Sequence, residues 1–457
     1  MMSRETFSSR GGFLLVTAAC VIGLGNIWRF PYTVASNGGL LFLLLYILCL
    51  GVIGLPCFTM ELAVGRASRL SLGTALEALE VKGSKTHQNK YWFILCNYIV
   101  MAIYSVITGV MFYYSLKLFT DGFGQDLTEA VTEGVISRVM DSFPIMMTST
   151  LLVVLAGFCI CARGLRKGVE CTLKPMMIIL FVMLIYLTFV ASTLDGFSAG
   201  IKAFLAPNFE AFTRQPFSHV LIDALTEAFF TLAIGIGIIQ VLGSYMKSTH
   251  TLLSNSIPIM VLNVLAGVFA GCIIYPLCYT YGVDPSLGPK LLFVQLVPIF
   301  TQSHIEAANI WGGLFFLVLA FISFSTLVAF FENVTAISME CFKVSRRRSV
   351  ILNFVITLIA SLPCVLGFNA IPDWYPVGSG TSFLEIEDFL VSDNLVAGGF
   401  FYVYFILSKK RGWGFDNYLK ETNTGEGVKM AYCAKYIFMF IIPAFLSVHL
   451  IWRAMGW

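Results

Sequence analysis

Two apolar stretches of the chain carry a pair of glycines in mid-run, Gly23-Leu24-Gly25 and Gly235-Ile236-Gly237. Each glycine costs a helix about 1 kcal/mol against alanine, so such pairs are either close-packing notches or points where the helix unwinds. Polar side chains stand beside them. Asn26 follows the first pair, Thr231 precedes the second, Asn263 lies in the next apolar stretch, and Ser325 and Thr326 are adjacent in another. These are hard, neutral oxygen donors. Together with the carbonyls that an unwound helix frees, they suit an alkali cation better than a transition metal. One Asn or Thr in such surroundings more often bonds helix to helix, but five of them flanking two breaks point to a site. Other chemistry has little to work with: the five histidines never fall at metal-ligand spacing, the twelve cysteines are scattered singly except for Cys159 and Cys161, and no HExxH, Walker or GxSxG element is present.

The elements that must position these residues are helices in a bilayer. Of the 457 residues, 58% are hydrophobic and 12% charged, whereas a soluble domain averages about 45–50% and about 25%. So little charge cannot cover a water-facing surface, which excludes a soluble enzyme, a nucleic-acid-binding protein and a secreted disulfide module. Windows of about 19 residues give eleven spans, at about 12–35, 40–65, 90–118, 143–162, 169–191, 219–245, 252–281, 305–335, 350–370, 386–408 and 431–454. With the N-terminus in the cytoplasm, 20 of the 29 Lys and Arg residues fall on inner segments, while the 119–142 loop carries Asp121, Asp126, Glu129 and Glu133. The positive-inside rule then predicts a multi-pass protein of the cell membrane, N-terminus inside and C-terminus outside. No linker or soluble domain interrupts it, so 1–457 reads as one transmembrane domain. The two glycine breaks sit five spans apart, in halves of opposite orientation (about 12–191 and about 219–408), with a further helix at about 431–454. Paired breaks of this kind are the sequence pointer to a midplane binding site between inverted repeats. Unwound backbone at that depth is tolerated only where it lines a site.

The run Gly23-Leu24-Gly25-Asn26-Ile27-Trp28-Arg29-Phe30-Pro31-Tyr32, followed by Asn37-Gly38-Gly39, resembles the signature of the neurotransmitter:sodium symporter family. Gly54-Leu55-Pro56 with Glu61 and Gly65-Arg66, Tyr104-Ser105-Val106, and Glu227-Ala228-Phe229-Phe230-Thr231-Leu232 support it, in order, over nearly the whole chain. The resemblance implies an all-α, LeuT-type 5+5 inverted repeat with an additional eleventh transmembrane helix, helices 1 and 6 being unwound mid-membrane. It implies a sodium-coupled amino-acid symporter working by alternating access, not an enzyme, with two sodium ions and no organic cofactor. The first sodium would be held by the Val21 carbonyl, the side chains of Asn26, Thr231 and Asn263, and the substrate's own carboxylate. The second would be held by the carbonyls of Ala19, Ile22 and Ile322 and the hydroxyls of Ser325 and Thr326. A substrate that completes one ion's shell binds tightly only with that ion, which is coupling.

The same resemblance gives Tyr104 to the substrate carboxylate, with half-helix ends at Gly25 and Gly235 adding positive dipole. The substrate side chain would meet Cys20, Val21, Val100, Phe230, Ala233, Ile236, Thr326 and Phe330, all small or uncharged, so a neutral, hydrophobic L-amino acid is expected. Monoamine-carrying relatives place an Asp where this chain has Gly23, which disfavours an amine. The resemblance also implies an outer latch of Arg29 with Asp388, above a lid of Tyr104 and Phe230, and an inner latch of Arg4 with Glu340, assisted by Tyr245.

Two positions depart from the family pattern. Chloride-dependent members ligate chloride with a Tyr, a Gln and two hydroxyls; Tyr46 and Thr231 match, but Glu227 replaces the Gln and Gly267 a hydroxyl. A carboxylate there repels the anion, so chloride independence is expected, with Glu227 supplying fixed charge or exchanging a proton; a structural pair with Arg29 is the competing reading. In the fifth span, Gly168 and Pro175 stand closer than in relatives whose helix unwinds there. An enzyme is disfavoured because Glu61, Glu227 and Glu332 lie in separate spans without His, Lys or Cys partners, and a channel because no filter repeat is visible. An amino-acid-binding membrane sensor with little transport would present the same residues. The partners read from the chain are a small neutral amino acid and the lipid bilayer, with no nucleic acid.

Overall fold

The structure, a computed structural model, describes residues 4–27, 29–120, 139, 142–285, 291, 295–302, 308–368 and 383–454, and the side chains of all of these except 301–302, 368, 383–392 and 453–454. Among the described residues it is all-helical, with one isolated bridge between His250 and Glu426. Hydrocarbon offers the backbone no hydrogen-bond partner, so each long apolar run closes its own N–H···O=C bonds as helix.

The first helix, α1 (Arg10–Val21), begins at Ser9, whose hydroxyl accepts from the Gly12 amide at 3.0 Å. It stops at Ile22, a 3₁₀ turn follows at Leu24–Asn26, and α2 (Arg29–Ser36) leaves the break bent by 76°. Then come α3 (Leu40–Ser68), α4 (Thr86–Phe119), α5 (Phe143–Ala162) and α6 (Leu165–Ala191). The sixth span is again in two pieces, α7 (Phe217–Phe230) and α8 (Ile238–Ser244). The rest are α9 (Leu252–Tyr281), α10 (Ala308–Phe342), α11 (Arg346–Gly367), α12 (Phe383–Leu407) and α13 (Ala434–Trp452). Among the described residues eight helices are long and apolar enough to cross a membrane, and α1 with α2 makes a ninth if the bent pair is one span.

Burial orders the bundle. The apolar window of α10 is 83% buried and that of α13 only 22%, so α10 is the central post and α13 the periphery. The span expected at 305–335 in fact continues to Phe342, because Glu332, which lowers any hydropathy window, is buried against Arg346 and Tyr245 and does not face lipid. Small residues let helices touch: a Cβ on Gly65 would strike the Gln240 carbonyl, and one on Gly243 would lie 2.6 Å from the Leu62 carbonyl oxygen, so α3 lies directly on α8. At the start of α6, Leu165–Glu170 forms a wide π turn, Gly168 packs against the Ile160 carbonyl, and Pro175 lies inside the helix that follows. The turn is distorted where sequence spacing left the site of unwinding open, and it stays helical.

Candidate functional site at the two helix breaks

The two breaks are built differently. At the first, Gly23 is extended (φ −104°) and its amide donates to Asn26 Oδ1 at 2.9 Å, so the side chain three residues on replaces a helical carbonyl. The glycines here provide room: a Cβ on Gly25 would meet nothing within 4 Å, and one on Gly23 would sit 3.7 Å from the Tyr104 hydroxyl. The second break, between Phe230 and Ile238, needs glycine's backbone freedom. Gly235 and Gly237 have φ of +107° and +79°, and Ala233 is held at +49°, which costs an L-residue strain.

Three neighbours hold that strained segment. Glu61 of α3, fully buried, accepts the Gly235 amide through Oε1. Asn97 of α4 donates to the Ile236 carbonyl at 2.8 Å and accepts from Asn333 of α10 at 2.9 Å. Gly398 of α12 lies so close to Gly235 that a Cβ on either would enter the other helix's backbone. Glu61 was visible in the sequence as a carboxylate within an apolar span, a functional signal by default. Asn97 and Asn333 carried no signal that separates them from ordinary helix glue.

Around the breaks, oxygen-bearing side chains from distant parts of the chain converge in two clusters. In the first, Asn26 Nδ2 donates to Asn263 Oδ1 at 3.0 Å and to Thr231 Oγ1 at 3.3 Å, while Asn263 Nδ2 reaches Thr231 Oγ1 at 3.1 Å and the Tyr46 hydroxyl at 3.4 Å. In the second, Ser325 Oγ donates to the carbonyls of Ala19 (3.0 Å) and Ile322 (2.9 Å), and Thr326 Oγ1 lies 3.2–3.3 Å from those of Ala19, Ile22 and Ile322. Five oxygens from α1, the break after it and α10 thus share one point, with Ala19, Ile22 and Ser325 buried. Neither cluster contains a carboxylate.

Of the expected wall residues, Cys20, Val21, Val100, Ile236, Thr326 and Phe330 are buried, and Tyr104, Phe230 and Ala233 are half-buried. Gly25 borders the open space beside them.

The two expected latches fare differently. Arg4 meets Glu340, donates to Ser244 Oγ at 2.7 Å and lies 4.6 Å above the Tyr245 ring. Glu340 also accepts from the Ser71 amide (2.9 Å), the Ser71 hydroxyl (2.6 Å) and the Thr74 hydroxyl (2.7 Å). Beneath, the Tyr245 hydroxyl donates to Glu332 at 2.7 Å, and Arg346 holds the same carboxylate with two bonds of 2.8 and 2.9 Å. Sequence reading found Arg4, Glu340 and Tyr245 and missed this second layer. At the opposite end Arg29 Nε lies 3.2 Å from Glu227 Oε2. The side chain of Asp388, its expected partner, lies outside the described residues. Glu227 is buried, Asp223 stands one turn before it and accepts from Asn37 at 3.3 Å, and the Phe30 ring packs where a Cβ on Gly267 would be.

A helical bundle with two interrupted helices and neutral oxygen clusters at both interruptions is the architecture of an ion-coupled transporter, and the relatives of this chain are transporters, not enzymes. Residues 4–133 and 135–456 match the Sodium:neurotransmitter symporter family, and the chain belongs to that family. It is similar to an uncharacterized sodium-dependent transporter of Haemophilus influenzae, 30% identical over 401 residues that cover 82% of this chain and 85% of the relative. It is 27% identical over 507 residues to the sodium-dependent serotonin transporter of Drosophila melanogaster, covering 100% of this chain and 77% of that one. Among solved structures it is similar to MhsT in complex with L-phenylalanine, with a TM-score of 0.84 and 28% identity, covering 98% of this chain and 99% of that one. The chain is therefore a sodium-dependent transporter with the LeuT fold.

Proposed function

We propose that the protein is a symporter that moves a neutral, hydrophobic L-amino acid with two sodium ions by alternating access, without chloride. The observation that carries this reading is the meeting of oxygens at both helix breaks: Asn26 with Thr231 and Asn263, and Ser325 and Thr326 with the carbonyls of Ala19, Ile22 and Ile322. In the second cluster the hydroxyls need only rotate their protons outward for five oxygens to face one ion. In the first, ion entry exchanges the amide bonds of the trio for oxygen-to-ion contacts, and the Val21 carbonyl with the substrate carboxylate completes the shell. Affinity for ion and substrate is then reciprocal.

The amino acid's carboxylate would sit at the Tyr104 hydroxyl beside Gly23 and Gly25, with the half-helix ends at Gly25 and Gly235 supplying partial positive charge. Its side chain would lie among Cys20, Val21, Val100, Phe230, Ala233, Ile236, Thr326 and Phe330. The likeness to MhsT, solved with L-phenylalanine, supports a substrate of that class. Gly23 offers no carboxylate to a bare amine. Glu227, buried beside the first cluster's neighbour Tyr46, would supply the negative charge that chloride supplies elsewhere, or exchange a proton on the return step. Charge distribution supports a cytoplasmic N-terminus, which makes the Arg4 network the inner latch and Arg29 the outer one, with Asp388 as a second candidate partner.

The test is uptake of labelled Gly, Ala, Leu, Met, Phe, Tyr and Trp into proteoliposomes under an inward sodium gradient, then with choline replacing sodium. The expected result is sodium-dependent accumulation of one or more large neutral members, with sodium half-saturation raised at least tenfold, about 1.4 kcal/mol, in Ser325→Ala/Thr326→Val. Sodium-dependent binding without accumulation would make the protein a sensor and overturn the symport reading.

A further inference from the structure

Away from the breaks, α4, α5 and α10 enclose a cavity of 690 Å³ that opens sideways, towards where lipid lies. Its walls are Phe112, Leu116, Ile145, Leu152, Ala156 and Phe324, and its surface is almost wholly apolar. One edge is closed by a direct helix contact, since a Cβ on Gly109 would stand 2.9 Å from the Ser149 backbone. Leu116 and Leu152 are 63% and 60% exposed, which marks the opening as a lateral one. Water gains nothing in an apolar space without polar partners, so in a bilayer this volume takes hydrocarbon.

Length and charge narrow the occupant. The lining runs along α5 from Pro144, at the helix start, to Ala156, a rise of about 18 Å at 1.5 Å per residue. One leaflet's share of a hydrocarbon core about 30 Å thick is about 15 Å. At the same end α4 finishes, and in its last turn Lys117 lies with Nζ 5.7 Å above the Tyr113 ring, itself a lining residue. That places one positive charge beside a lining residue at the end of the groove where α4 finishes, and a lysine near a helix end can extend to the headgroup layer. We infer that the groove is a site for one phospholipid, with an acyl chain lying along α5 from Pro144 to Ala156 and the headgroup phosphate at Lys117. The chain's inner end would press on Phe324, the residue before Ser325 of the second oxygen cluster, and would brace α5 against α10.

The test uses the full-length protein in proteoliposomes doped with a phospholipid whose diazirine sits near the end of one acyl chain, followed by illumination and peptide mapping. Peptides containing Gly109–Leu116 or Pro144–Ala156 should be labelled several-fold above those of α6, whose Ile178 and Val182 are equally lipid-facing at 51% and 60% exposure. Filling the groove with Ala156→Trp or, at its other end, Thr148→Trp should remove most of that excess, whereas Leu155→Trp on the adjacent exposed face should leave it. Lys117→Gln should lower labelling by an anionic phospholipid. Labelling of the groove at the α6 level, or an excess untouched by both filling variants, would overturn the inference. Crosslinks from groove peptides to a second copy of the chain in place of lipid adducts would do so as well.

Discussion

At the end of the bundle that carries the N-terminus, Arg4, Ser71, Thr74 and Ser244 converge on Glu340, and Tyr245 and Arg346 converge on Glu332 directly beneath. At the opposite end Arg29 reaches Glu227 through one contact of 3.2 Å, with half of the arginine side chain in solvent. Both ends use an arginine and a carboxylate, yet they are energetically unlike. Buried charge pairs act through a low dielectric and leave an uncompensated charge when one partner is lost. In the Arg29 pair Glu227 is buried but the guanidinium is half in solvent, so water and salt screen the attraction from the arginine side. On the proposed alternating access one end is shut while the other yields; among the described residues the N-terminal end is held by two layers of contacts and the Arg29 end by the Arg29–Glu227 pair.

The largest expected effect comes from the deepest layer. Glu332→Gln keeps an acceptor for Tyr245 but leaves Arg346 without its carboxylate, and should cost about 3–5 kcal/mol, read as a lowered midpoint in thermal unfolding of the purified protein. An unchanged midpoint would mean that the second layer contributes little. Next is Arg4→Ala, read by N-ethylmaleimide labelling of a variant that keeps only Cys20, which is buried beside the first break. If the Arg4 network is the inner latch, its loss should raise the labelling rate about tenfold, the equivalent of about 1.4 kcal/mol, whereas Arg29→Ala in the same background should change it less. Equal effects of the two substitutions would erase the distinction between the ends.

How far this arrangement could be read from residues alone differs from place to place. That the apolar runs are helices was legible because hydrocarbon forces such runs into self-satisfied helices, and the two glycine pairs were legible as interruptions because glycines are costly in a helix interior. What the pairs do was not legible: Gly23 and Gly25 supply space, while Gly235 and Gly237 supply positive φ, and only coordinates separate the two. Asn26, Thr231, Asn263, Ser325 and Thr326 stood out as polar residues beside breaks. Asn97 and Asn333, equally buried, did not, since a side chain that holds backbone looks in sequence like any interhelical bond. The partner of Arg29 was ambiguous for a related reason. Glu227 lies nearly two hundred residues away along the chain, and nothing local ties it to α2.

A smaller effect is expected at the weaker end. Glu227→Gln removes the carboxylate from Arg29 while preserving shape, and should lower sodium-driven uptake a few-fold in chloride-free medium, with chloride restoring part of it. Uptake that ignores chloride in both proteins would reduce the pair to a structural contact, leaving Arg29 and Glu227 with the weak latch alone.

The smallest effect tests whether burial, and not the number of ion pairs at the N-terminal end, makes the difference. Lys409 and Asp416, in the segment after α12, form a pair at 2.6 Å with both side chains mostly in solvent. The ammonium holds the Asp416 carboxyl below its ordinary range and the carboxylate raises the lysine. A depressed carboxyl contributes stability above its unfolded value, about 3.9, and loses it only as pH falls through the lower folded one. The raised lysine contributes below its unfolded value, about 10.4, and loses that stability as pH rises through the higher folded one. Between pH 5 and pH 8, a span that lies inside both limits, the contribution is therefore constant, and salt screens it. Asp416→Asn should leave the unfolding midpoint and the Cys20 labelling rate unchanged across that range. A lowered midpoint or a clearly faster Cys20 labelling would show that exposed pairs also hold this end shut, and the contrast with Arg29 and Glu227 would then rest on the number of contacts instead of their burial.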